Sequence, residues 1–166
     1  MFQGFFIPGL VSFLVAHLFY VALFKSGQAW FPHRGALAAT LGIGTAMYAF
    51  LWTSGLPPAL RAPVAAYVLV IALMAAQAIG RATVLRDAPS LCIAIGAGFF
   101  MLSDSLLATN RFVTPLPMAQ VWVLATYYAA QALIVAGMLR GTARAEPSSA
   151  TPLTPQTDLA RSPSAA

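Results

Sequence analysis

Apolar residues in this chain fall into five blocks, each close to the ~20 residues a helix needs to cross the hydrocarbon core of a bilayer. They cover about 5–24, 35–54, 62–80, 90–109 and 118–139. The breaks between them have recognisable causes. Lys25, Ser26 and Gly27 close the first block, and Pro32, His33 and Arg34 precede the second. Gly55, Pro57, Pro58 and Arg61 separate the second from the third. Arg81, Arg86, Asp87 and Pro89 lead into the fourth, and Arg111, Pro115 and Pro117 into the fifth. None of these connections is long enough for an extramembrane domain. Outer-membrane β-strands would show ~10-residue segments of alternating polarity, whereas these blocks are longer and apolar all round. The pattern predicts an all-α fold: a polytopic transmembrane helical bundle of about five spans over 1–140. A tail at 141–166, rich in Pro, Ser and Ala, is expected to be disordered.

Composition points the same way. Charged residues are 8% of the chain and apolar residues 60%, with a mean hydropathy of +0.79. Soluble domains carry roughly 25% charge, so a soluble surface cannot be built from this chain. The net charge of +5 does not indicate a nucleic-acid partner. The basic residues stand singly between apolar blocks, with no cluster or aromatic stacking platform, and anionic lipid headgroups suit them better. Cys92 is the single cysteine and offers neither a disulfide nor a metal spacing.

The first block has no basic residue before it and contains His17 and Tyr20, so it is expected to be a retained span and not a signal peptide. Lys25, Arg34, Arg81, Arg86, Arg140 and Arg144 fall on one side of the bundle, and Arg61 and Arg111 on the other. Six against two predicts an outward N-terminus and a cytoplasmic C-terminus in the cell membrane, the inner membrane of a bacterium.

Between Met1 and Arg140 the only acidic residues are Asp87 and Asp104, and only Asp104 lies within a block. A bare carboxylate there would cost about 2.5–3.5 kcal/mol on insertion scales, so it must face the bundle interior or a wet cavity. It reads either as a functional carboxyl or as a residue near a helix end bonded to Ser103, Ser105, Asn110 or Arg111. His17 and Tyr20 share a helix face with Phe13, and an imidazole there could exchange a proton or simply join two helices. Tyr127 and Gln131 are co-facial in the fifth block. Tyr67, Met74 and Gln77 mark the third, and Thr45 and Tyr48 the second. Each of these is more often packing glue than chemistry, but a bulky polar group in every span suggests a polar interior. No soluble-enzyme motif appears. His17 and Asp104 are too few to argue a metal site, and no cofactor is expected.

Four stretches carry a resemblance. They are 9–20, Gly-Leu-Val-Ser-Phe-Leu-Val-Ala-His-Leu-Phe-Tyr, then Tyr67 through Met74, then 98–108, Gly-Phe-Phe-Met-Leu-Ser-Asp-Ser-Leu-Leu-Ala, and finally 126–131, Thr-Tyr-Tyr-Ala-Ala-Gln. In residues, order and spacing they resemble the YhhN-like family of integral membrane proteins, whose characterised animal members are lysoplasmalogenases. The resemblance runs from about Gly4 to Gly137. It implies hydrolysis of the vinyl ether bond of a lysoplasmalogen, giving a fatty aldehyde and a glycerophospho-alcohol. It also implies about eight spans and an earlier helix with a Gly-Asp pair. This chain begins at what would be the third or fourth span. The expectation is therefore a start codon assigned too late, or a shortened and inactive member.

Vinyl ether hydrolysis needs a protonated acid, a group to orient water, and negative charge near an oxocarbenium-like cation. The expected roles are Asp104 as the acid or its electrostatic partner and His17 as proton relay or water-orienting group. Tyr20, Tyr127, Gln131 and Ser103 would contact the lysophospholipid. A homo-oligomer could complete a cavity but could not supply a missing carboxylate. The competing expectation is a small transporter or lipid-binding membrane protein, since a membrane Asp beside a His also suits proton coupling.

Overall fold

The structure, a computed structural model, describes residues 6–145, with side chains described from 8 to 143. It is all-helical: α1 Phe6–Lys25, α2 Arg34–Thr53, α3 Pro58–Leu85, α4 Ala88–Phe112 and α5 Ala119–Ala145. All five are long and apolar enough to cross a membrane. Successive helices run up and down. α3 is central and packs against α1, α2 and α4, while α4 and α5 form a tight pair.

Several residues that interrupt the apolar pattern are the caps and first turns of helices. His33 caps α2, its Nδ1 accepting from the Ala36 N–H at 2.9 Å. Asp87 caps α4, its Oδ1 accepting from the Ser90 N–H at 2.8 Å, with Pro89 in the first turn. These side chains satisfy donors that a helix start leaves without partners. Pro58 opens α3, where its missing N–H costs nothing. The helix therefore begins four residues before the expected 62 and runs on through Gly80 and Arg81 to Leu85. It closes on Arg86, which adopts a left-handed φ of 51° and bonds back to the Ala82 carbonyl. α5 continues to Ala145, five residues into the segment read as tail. The remainder of that tail, 146–166, lies outside the described residues.

Phe24, Met74, Ala78, Ile93, Phe100 and Ile134 belong to one buried cluster, and Leu51, Leu56 and Val64 form another near the α2–α3 turn. Within a bilayer such side chains gain little by leaving lipid, so close packing and interhelical hydrogen bonds must hold the bundle. Gln77 supplies two of these bonds. Its Oε1 accepts from the Phe31 N–H at 2.8 Å and its Nε2 donates to the Ala29 carbonyl at 3.1 Å. It thereby pins the α1–α2 connection, including Phe31 in its left-handed conformation (φ 44°). Arg81 donates to the Ser26 carbonyl at 3.0 Å, tying the end of α1 to α3. Gln77→Leu should cost about 1–3 kcal/mol, because it removes two hydrogen bonds worth about 0.5–1.5 kcal/mol each and frees the connection from α3. A thermal melt in detergent reads this directly, and an unchanged midpoint would refute the role given to Gln77.

Candidate functional site

Asp104 sits on α4 eight residues before the helix ends at Phe112, about 12 Å in from that terminus at 1.5 Å per residue. The crossing of α3 and α4 brings Tyr67 to it, and the Tyr67 hydroxyl donates to Asp104 Oδ2 at 3.1 Å. Both residues line a cavity of about 230 Å³ between α1, α3 and α4. Its walls are largely apolar, from Leu10, Phe13, Val64 and Leu107 among others, and its charged or hydroxyl-bearing side chains are Tyr67, Asp104 and Arg111.

His17 is completely buried on α1, next to this pair. Its ring meets that of Tyr67 edge-on at 5.6 Å between centroids and that of Phe100 at 4.6 Å. Nδ1 lies 2.6 Å from the Phe13 carbonyl oxygen. A carbonyl can only accept, so Nδ1 carries the hydrogen and Nε2 is left with a lone pair. No described residue hydrogen-bonds to Nε2. No hydrogen bond joins His17 to Asp104 among the described residues, and Tyr67 touches both.

The other candidate residues lie elsewhere. The Tyr20 hydroxyl donates to Gln131 Oε1 at 2.7 Å, linking α1 to α5. These two helices do not approach closely through their backbones, and a second cavity of about 510 Å³ lies between them, lined by Tyr20, Phe100, Tyr127 and Gln131 among others. Phe13 lines both cavities and meets the Tyr127 ring at 6.2 Å. Ser103 lines neither. It is buried in the α4–α5 seam, where its hydroxyl donates to the Val123 carbonyl at 3.0 Å. Asp104 thus stands with Tyr67, His17 backs onto Tyr67, and Tyr20, Tyr127 and Gln131 share the second cavity.

Sequence reasoning did not place Tyr67 or Arg111 in the site. Tyr67 lies 37 positions from Asp104, and no local spacing could pair them. Arg111 did carry a signal, since a residue seven positions on lies on nearly the same helix face. A carboxyl paired with a phenol in an apolar cavity is suited to passing a proton to a group seated beside it.

The YhhN family model matches residues 2–138 of the chain. Lysoplasmalogenase TMEM86B of Homo sapiens is 34% identical over 135 residues, covering 81% of this chain and 54% of the relative. Lysoplasmalogenase TMEM86A of Homo sapiens is 33% identical over 138 residues, covering 80% and 55%. The lysoplasmalogenase of Mycobacterium tuberculosis (strain CDC 1551 / Oshkosh) is 31% identical over 140 residues, covering 82% and 52%. The chain spans about half the length of these curated relatives. No solved structure matches it. The chain belongs to the YhhN family.

Proposed function

We propose that this YhhN-family chain is a membrane hydrolase that cleaves the vinyl ether bond of lysoplasmalogens, with Asp104 as its acid. One observation carries the reading: Asp104, the only acidic residue inside a described span, lines an apolar cavity and is held there by the Tyr67 hydroxyl. The lysoplasmalogenase relatives support the choice of substrate.

Asp104 transfers its proton to the β-carbon of the vinyl ether, the double-bond electrons forming the new C–H bond. The positive charge appears on the oxygen-bearing carbon, next to the carboxylate just formed. Water adds to that carbon and its surplus proton returns to Asp104. The hemiacetal then collapses to a fatty aldehyde and the glycerol hydroxyl of the glycerophospho-alcohol. Tyr67 orients the acid, and His17, which lines neither cavity and packs edge-on against Tyr67, would act as proton relay or water-orienting group only through that phenol. Tyr20, Tyr127 and Gln131 border the second cavity, where the fatty chain would run. The Lys and Arg distribution supports an outward N-terminus, which would put Asp104 in the outer half of the bilayer.

Purified protein given a lysoplasmalogen should release fatty aldehyde and glycerophospho-alcohol in equal amounts, and none from the saturated alkyl-ether analogue. A lipid that binds but stays intact would refute hydrolysis and leave transport or lipid binding. Tyr67→Phe should lower turnover about 10-fold, the scale of one hydrogen bond to a charged group, with little change in KM. An unchanged turnover would show that the phenol does not orient the acid.

A further inference from the structure

Arg111 is a charged residue lining an otherwise mostly apolar cavity, and the mechanism above does not use it. It lies in the last turn of α4 with its side chain exposed, while Asp104 lies deeper on the same helix. Seven residues separate them, which is about 10 Å of axial rise and an angular offset of only about 20°. The two side chains therefore face the same cavity at different depths.

We infer that Arg111 binds the phosphate of a single-chain glycerophospholipid and thereby sets which atom of that lipid lies beside Asp104. This rests on the reading of the cavity as a lysophospholipid site. In a lysoplasmalogen seven covalent bonds separate the β-carbon of the vinyl ether from phosphorus, and at about 1.4–1.5 Å per bond an extended zigzag spans roughly 9 Å. That length matches the axial separation of the two residues. Guanidinium presents a planar fork of donors suited to a phosphodiester, and the end of a span is where a headgroup lies. With phosphate on Arg111 and the vinyl ether at Asp104, the fatty chain continues past Phe13, the shared wall, into the space between α1 and α5. Arg111 thus selects for a phosphate-bearing headgroup, and a neutral alkenyl lipid would lose this anchor.

The test compares binding of two uncleavable ligands in detergent: a saturated 1-O-alkyl lysophospholipid and the 1-O-alkylglycerol of the same chain length, which lacks phosphate. Arg111→Gln should weaken binding of the first about 10-fold or more and leave the second unchanged. Arg111→Lys, which keeps the charge without the fork, should fall between. Unchanged affinity for the phospholipid would overturn the assignment. So would an equal loss for both ligands in a variant that melts like the parent. Neither ligand contains a vinyl ether, so the contrast holds whether or not the chain is a hydrolase. Aldehyde release at parental KM by Arg111→Gln would sink the anchor and leave the hydrolase reading standing.

Discussion

Gly137→Val should prevent α4 and α5 from packing, and even Gly137→Ala should cost about 1–3 kcal/mol, the range for overfilling a close-packed interior. A methyl group on Gly137 would lie 2.6 Å from the Pro89 carbonyl oxygen and 2.7 Å from Ile93 Cγ1. The seam is reciprocal. On α4, a methyl at Gly96 would meet Ile134 Cγ1 at 2.8 Å and the Ala130 carbonyl oxygen at 2.9 Å. Two of these four contacts are with backbone oxygens, which cannot swing aside, so the helices would have to separate. Without a hydrophobic force between helices in lipid, that separation costs the dispersion contacts that hold the pair. It would also displace α4, which carries Asp104. Gly98→Ala is the control, because nothing lies within 4 Å of its added methyl, and it should be neutral or stabilising. Melting of the three variants in one detergent decides the matter, and a parental midpoint for Gly137→Ala would refute the close seam.

Asp104→Asn should reduce aldehyde release by about 100- to 10,000-fold, the usual contribution of a positioned general acid. The amide is nearly the same size and can still accept from Tyr67, so packing is preserved and the melting midpoint should stay at the parental value. What it lacks is an acidic proton for carbon and, after transfer, a negative charge beside the cation. Retention of turnover within a few-fold would remove Asp104 from the chemistry.

The helices were legible because each needs a run of about twenty apolar residues, and in lipid that requirement is nearly absolute. Their ends were less so. Pro57, Pro58 and Arg61 read as an interruption, yet proline fits the first turn of α3, and the helix includes Arg61. Arg81 also read as a break, just beyond Gly80 at the end of the third block. Arg81 instead lies within α3 and reaches the end of α1, while Gly80 sits under Pro32, where a methyl would come within 2.9 Å.

Asp104 stood out in the sequence because a lone carboxyl in hydrocarbon demands an explanation. Helical periodicity also matched Tyr127 with Gln131, and both line the α1–α5 cavity. The bonds from Tyr67 to Asp104 and from Tyr20 to Gln131 were not legible, since each joins helices distant in sequence and depends on how they cross. Ser103 shows the converse. It adjoins Asp104 in sequence, but successive helical residues point about 100° apart, and the Ser103 hydroxyl bonds into α5 while Asp104 takes its bond from α3.

The most direct test of proton transfer to the vinyl ether carbon is the mass of the aldehyde formed in heavy water and reduced as it appears. The expected product from the parent protein carries one deuterium on the carbon next to the carbonyl, and Asp104→Asn yields almost none of it. An aldehyde lacking that deuterium, or an equal yield from the variant, would contradict acid catalysis by Asp104.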